Sequence, residues 1–165
     1  MPRRVSILVG TMTGTAELVA NEVQAALEGA GLDADVTLMD GLAPDVFLRR
    51  APGAGDEAVF LICTSTYGNG DVPDNAQGLF EALETERPDL SAVRYGLIAL
   101  GDRTYKATFA QGGLRFDALL GELGARRIGD ALLHDASAGT LPEDVAAEWS
   151  VAWAEGIAEN PDVAA

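Results

Sequence analysis

One cysteine, one histidine and a shortage of basic residues set the first limits on this chain of 165 residues. With Cys63 alone, no internal disulfide can form and no cysteine-ligated cluster is available. His134 has no second histidine and no nearby cysteine, so a zinc or copper centre is not expected. Basic residues number 11 against 26 acidic ones, a formal charge of −15. Such a field repels nucleic-acid phosphates and anionic lipid, and attracts a partner with a basic face. It also keeps a protein in solution, and composition does not separate the two roles. Long apolar runs are missing as well. The first ends at Val9 behind Met-Pro-Arg-Arg, too short for a signal peptide or a membrane span. No nucleic acid, no membrane and a cytoplasmic location are therefore expected. No repeat, linker or low-complexity stretch is visible. Hydrophobic residues make up 48%, enough for one packed core at this length. The expectation is a single domain over 1–165, with 160–165 a loose tail.

The remaining residues alternate between two periodicities. Val5-Ser-Ile-Leu-Val9 is a short β-rich run ended by Gly10, and Ala58 to Cys63 and Tyr95 to Leu100 repeat the pattern. Asp35 to Met39 and Ile128 to Leu133 are weaker strands. Between them lie helical faces: Val19, Val23, Ala26, Leu27 and Ala30; Ala76, Leu79, Phe80 and Leu83; Phe116, Leu119, Leu120 and Leu123. Gly29 with Gly31, then Pro88, then Gly124 close these helices. Pro44 to Arg50 reads as a short helix and Pro52 to Gly55 as a loop. Pro142 opens a last helix whose face carries Val145, Trp149, Ala152, Trp153 and Ile157. Five strands alternating with helices imply a parallel sheet covered on both faces.

In such a sheet, ligands bind beyond the carboxyl ends of the strands, at the switch point of strand order. The connections after strands one, three and four should carry the chemistry. After strand one, Gly10-Thr-Met-Thr-Gly-Thr-Ala16 leads into a helix, with three hydroxyls among small residues. Backbone N–H groups at a helix start suit a phosphate dianion without a lysine. Neither the P-loop Gly-Lys-Ser/Thr nor G-x-G-x-x-G is present. A threonine-rich helix cap without ligand explains this loop equally well. After strand three, Ser65-Thr-Tyr-Gly-Asn-Gly-Asp-Val-Pro-Asp-Asn75 sets an aromatic ring beside two glycines. After strand four, Leu100-Gly-Asp-Arg-Thr-Tyr-Lys-Ala-Thr-Phe109 brings a second aromatic, Tyr105. Two tyrosines at a slot with a phosphate cradle at its end describe a site for a flat ring on a phosphorylated tail. Each loop alone has a plain structural explanation; the convergence of three does not. Cys63 and the pair Trp149 and Trp153 read as core, and His134 as a local hydrogen-bonding residue.

These three motifs resemble the FMN-binding loops of flavodoxins and of the FMN domains of diflavin reductases. Arg87 to Tyr95 and Leu141 to Trp149 are similar to the MioC-type short flavodoxins in particular, and the likeness runs from about Val5 to Trp153. The resemblance implies a doubly wound five-stranded parallel sheet, order 2-1-3-4-5, with FMN at the switch point. It implies that Thr11, Met12, Thr13, Gly14, Thr15 and Ala16 hold the phosphate. Ser65, Thr66, Tyr67, Gly68, Asn69 and Gly70 would line one face of the ring. Leu100, Gly101, Asp102, Tyr105 and Phe109 would line the other, with Asp135 an acidic neighbour. Thr11 stands where the family's first loop usually begins with serine or glycine, and keeps the hydroxyl. The implied function is single-electron transfer by a monomer, from a basic-faced NAD(P)H-dependent reductase to an acceptor redox enzyme. No paired nucleophile and base indicates an enzyme. Two alternatives are a self-contained flavin reductase, which needs its own nicotinamide site, and a cofactor-free regulatory domain. The latter needs an acidic phospho-acceptor where this chain has Cys63-Thr-Ser65.

Overall fold

The computed structural model describes residues 4–11, 14–47, 58–65, 72–91, 93–101, 111–135 and 139–159. Strands β1 (Arg4–Gly10), β2 (Asp33–Leu38), β3 (Ala58–Thr64) and β4 (Val93–Gly101) alternate with helices α1 (Thr15–Gly29), α2 (Asp74–Glu86) and α3 (Gln111–Glu122). A 3-10 turn, Pro44–Phe47, follows β2. Two short strands, β5 (Arg126–Arg127) and β6 (Leu132–Asp135), precede α4 (Pro142–Glu159). All pairings are parallel, in the order β2-β1-β3-β4-β5 with β6 also on β4. This is the expected doubly wound sheet. No helix among the described residues is long and apolar enough to cross a membrane.

Strand alternation sorts the apolar residues into two cores, one on each face of the sheet. Val5, Ile7 and Val9 of β1, with Val59, Leu61 and Cys63 of β3 and Ile98 and Leu100 of β4, pack under α1 and α4. Leu8, Phe60, Ile62, Val93, Tyr95, Leu97 and Ala99 face α2 and α3. Strands covered on both sides read as continuous apolar runs, which is why β1, β3 and β4 stand out in the sequence. Edge strand β2 begins two residues before its expected start and ends at Leu38. Met39 has left the strand, yet its side chain is buried and its N–H still reaches the Val9 carbonyl at 2.9 Å. The helix expected over 44–50 is described as the 3-10 turn to Phe47, and 48–57 lie outside the described residues.

Two departures have a common cause in α4. Its buried stripe is Ala146, Ser150, Trp153 and Ala154, while Ala152 is exposed and Trp149 half-buried. Ser150 tolerates burial because its hydroxyl donates to the Ala147 carbonyl at 2.8 Å. The indole of Trp153 then reaches the sheet over Gly96 and donates its Nε1–H to the Ile128 carbonyl at 3.1 Å. A continuous fifth strand would spend that carbonyl on the ladder with β4. Instead the fifth position is filled by β5 and β6, with 128–131 set against Gly96 and Leu97. Trp149 stacks on Trp153, centroids 5.7 Å apart and planes at 14°.

Candidate functional site

The carboxyl ends of the strands form one edge. Gly10 is in register with Thr64, Thr64 with Ala99, and Gly101 with Asp135. Thr11 and Ser65 are thus the first residues past β1 and β3, with Leu100 and Gly101 closing β4 and Asp135 closing β6. The Ser65 N–H donates to the Gly10 carbonyl at 3.0 Å, which ties two of these ends together. A Cβ at Gly10 would stand 2.5 Å from the Thr64 hydroxyl, so the two strand ends pack closely. The structure therefore brings Thr11, Gly14, Thr15, Ala16, Ser65, Leu100, Gly101 and Asp135 to one edge. Met12, Thr13, Thr66, Tyr67, Gly68, Asn69, Gly70, Asp102, Tyr105 and Phe109 lie outside the described residues.

The start of α1 is built to receive an anion. Gly14 is its N-cap in the left-handed region, φ +92°, and as a glycine brings no side chain of its own to cap the helix. The first N–H groups of a helix have no intrahelical acceptor and carry the positive end of its dipole. The Thr11 Oγ1 accepts the Gly14 N–H at 2.9 Å. A Cβ on Gly14 would meet no described atom within 4 Å. Ala16 and Leu100 contribute backbone only, since both side chains are buried in the core under α1 and α4.

Asn75, in the first turn of α2, ends the motif after strand three, and sequence reading assigned it no role. Its Oδ1 accepts the Thr11 N–H at 2.8 Å, and its Nδ2 donates to the Val9 carbonyl at 3.1 Å and to Asp40 Oδ2 at 3.2 Å. It closes the 65–75 connection, whose tyrosine and glycines draw attention away from it. An amide just inside a helix start is the sole signal, and it is a common one.

Acidic residues stand at both ends of the strands, with Asp33, Glu86 and Glu122 on the amino side. Asp40, Asp74 and Asp135 stand at the carboxyl edge, with Glu17, Glu143 and Asp144 in the first turns of α1 and α4. Arg4, Arg94, Arg126 and Arg127 lie at the amino ends of β1, β4 and β5. Arg127 pairs with Asp117 at 2.8 Å, and Asp117 accepts the Tyr95 hydroxyl at 2.6 Å. Burial first, then that hydrogen bond, holds the Tyr95 hydroxyl well above the usual phenol range. Cys63 is fully buried, its S–H directed at the Ala16 carbonyl at 3.4 Å. Burial pushes its thiol up to about 12, so it is a core residue and not a redox group at neutral pH. His134 is buried, with Nε2 2.9 Å from the Thr140 hydroxyl, the local bond its position suggested. A cavity of about 520 Å³ opens beside the β5–β6 break, lined among others by Gly129, Asp130, Trp149 and Gly156, and holds none of the sequence-predicted site residues.

Known proteins give the edge a context. The family model described as flavodoxin matches residues 7–149. A protein named flavodoxin YqcA from Pectobacterium carotovorum is 39% identical over 92% of this chain and 95% of its own. Protein MioC of Escherichia coli K12 is 37% identical over 90% of this chain and 95% of its own. Among solved structures, a variant of a flavodoxin from Pseudomonas aeruginosa superposes with a TM-score of 0.79. It is 37% identical and covers 94% of this chain and 99% of its own.

Proposed function

This chain belongs to the flavodoxin family of electron carriers, and from that premise we propose that it holds FMN non-covalently along the carboxyl edge. The residues present fit such a group. The start of α1 has glycine at its N-cap, where a Cβ would meet no described atom, and carries the hydroxyls of Thr11 and Thr15. The loop Gly10 to Ala16 carries no lysine or arginine, so the helix end and hydroxyls would neutralise the phosphate. Thr11, Met12, Thr13, Gly14, Thr15 and Ala16 would hold it. Ser65 to Gly70 would take one side of the ring, and Leu100, Gly101, Asp102, Tyr105 and Phe109 the other, with Asp135 beside it. When bound, FMN supplies reversible one-electron chemistry.

The chain's own part is to bind, orient and screen. Peptide groups of Ser65 and of Leu100–Gly101 sit on adjacent strands at the same level and can bond to the edge of a planar heterocycle. Acids at the carboxyl edge oppose added negative charge there and steer a basic-faced NAD(P)H-dependent reductase to it. An acceptor enzyme would use the same face. We read residues 1–165 as one such domain, working as a monomer.

The observation that carries this reading is the shared edge: the connections after β1, β3 and β4 leave the sheet beside the glycine-capped start of α1. The visible spectrum of the purified protein tests it first, since bound oxidised flavin is yellow. Calorimetry on the apoprotein with FMN and riboflavin tests the phosphate cradle. Lost charge-assisted hydrogen bonds are worth about 1.5–3 kcal/mol each, so FMN should bind far more tightly. A colourless protein that ignores added FMN overturns the reading, and equal affinities overturn the cradle.

A further inference from the structure

We infer that Asn75 is a positioning residue for the phosphate loop, holding Thr11 so that the start of α1 is preformed for a phosphate monoester. The inference rests on the FMN reading above and adds to it a residue outside the cradle. The argument begins with hydrogen-bond capacity. An asparagine side chain offers one acceptor oxygen and two donor hydrogens on one rigid plane. Here the oxygen takes the Thr11 N–H, and the nitrogen serves the Val9 carbonyl and the Asp40 carboxylate. The reversed amide would set donor against donor at Thr11 and acceptor against acceptor at Val9, so the chemistry of the partners fixes its orientation.

Few other side chains satisfy these partners. Aspartate keeps the acceptor for Thr11 but turns a negative oxygen on the Val9 carbonyl and on Asp40. Glutamine has the right groups on a stem one methylene too long. Alanine leaves the Thr11 N–H, which is part-buried, with no acceptor from α2.

The consequence travels one step further. Thr11 is the first residue after β1, and its hydroxyl accepts the Gly14 N–H at the N-cap of α1. A hydroxyl that accepts one bond keeps its own hydrogen, which it can donate to a phosphate oxygen. Asn75 thus sets the Thr11 backbone, and Thr11 sets Gly14. Asn75 also closes the 65–75 connection, so the loop expected at the ring and the loop expected at the phosphate share one support 64 residues apart in sequence.

The test is calorimetry on apoprotein with FMN and with riboflavin, which shares the ring and lacks the phosphate. In Asn75→Ala the FMN Kd should rise about tenfold, the worth of one or two net hydrogen bonds, while the riboflavin Kd moves less than about threefold. Thr11→Val should do the same, and the double variant should be no worse than the poorer single one, because both act through one bond chain. Far-UV circular dichroism and the melting temperature check folding. Asn75→Gln, with the same groups on a longer stem, replaces Asn75→Ala if that variant does not fold, with the same selective loss expected. Equal weakening of both ligands, unchanged FMN affinity, or strictly additive losses would each overturn the assignment. Failure of the wild-type apoprotein to prefer FMN would instead overturn the reading beneath it, and shows in the wild-type arm alone.

Discussion

The indole of Trp153 occupies the space that a side chain on Gly96 would need. A Cβ built on Gly96 stands 2.6 Å from Cε2 of that ring, well inside contact distance. The same ring donates to the Ile128 carbonyl at 3.1 Å, so it both fills the groove and holds the broken edge strand. Gly96→Ala should destabilise the fold by about 1–3 kcal/mol through overpacking. Trp153→Phe should cost about 1 kcal/mol for the lost hydrogen bond, and more for lost area. Urea unfolding measures both. In the pair Gly96→Ala with Trp153→Leu the costs should fail to add, because the smaller side chain admits the methyl. Strict additivity would mean that the methyl meets something else.

The break at 128–131 shows where sequence reading stops. Ile128 to Leu133 looks like a strand, but Gly129 turns into the left-handed region at φ +69° and an indole 25 residues further along the chain takes the Ile128 carbonyl. No local pattern announces that contact. Strands β1, β3 and β4 are legible for the opposite reason, since burial on both faces makes every position apolar. The cradle at Thr11 to Ala16 is legible because hydroxyls and glycine before a helix are a local signature. Asn75 is not, because its role exists only once the ends of β1 and β2 and the start of α2 meet.

Cys63 gives the protein an alkaline limit. Its thiol is raised from 9.0 to about 12 by burial. From about pH 9 upward the unfolded chain loses this proton while the folded chain keeps it. The folded state then holds more protons, so stability falls as pH rises from about 9 towards 12, by at most about 1.4 kcal/mol per pH unit. Below about pH 9 the contribution is constant. Cys63→Ala should remove the part of this slope between pH 9 and 10, before Tyr95 adds its own decline above its ordinary value of 10.0. The native thiol should also resist thiol reagents until the protein unfolds. Rapid labelling in the folded state would contradict its burial.

The charge of −15 should be visible in kinetics. Reduction by a basic-faced NADPH-dependent reductase should slow steadily as salt rises, since the Debye length falls from roughly 30 Å at 0.01 M to about 8 Å at 0.15 M. Stopped-flow traces across that range decide it. Charge reversal at Asp74 and Asp135, both at the carboxyl edge, should flatten the salt dependence more than reversal at Glu28 near the other end of α1. A flat series in the wild type would leave the acidity with a solubility role alone.

Gly14 separates stability from ligand binding. Its φ of +92° is a conformation that an L side chain adopts at a cost of roughly 1–2 kcal/mol, though among the described residues no atom lies within 4 Å of the Cβ position. Gly14→Ala should therefore lower unfolding free energy by about 1 kcal/mol from backbone strain without any clash. Gly14→Asn should cost less, because asparagine enters the left-handed region more readily. Ligand affinity should follow a different order. Both side chains project into the open space at the start of α1, and the larger one obstructs a phosphate more. FMN should then bind Gly14→Asn more weakly than Gly14→Ala, although Gly14→Asn is the more stable protein. Affinities that instead track stability would show that Gly14 serves the turn and that the space beside it is not where the phosphate enters.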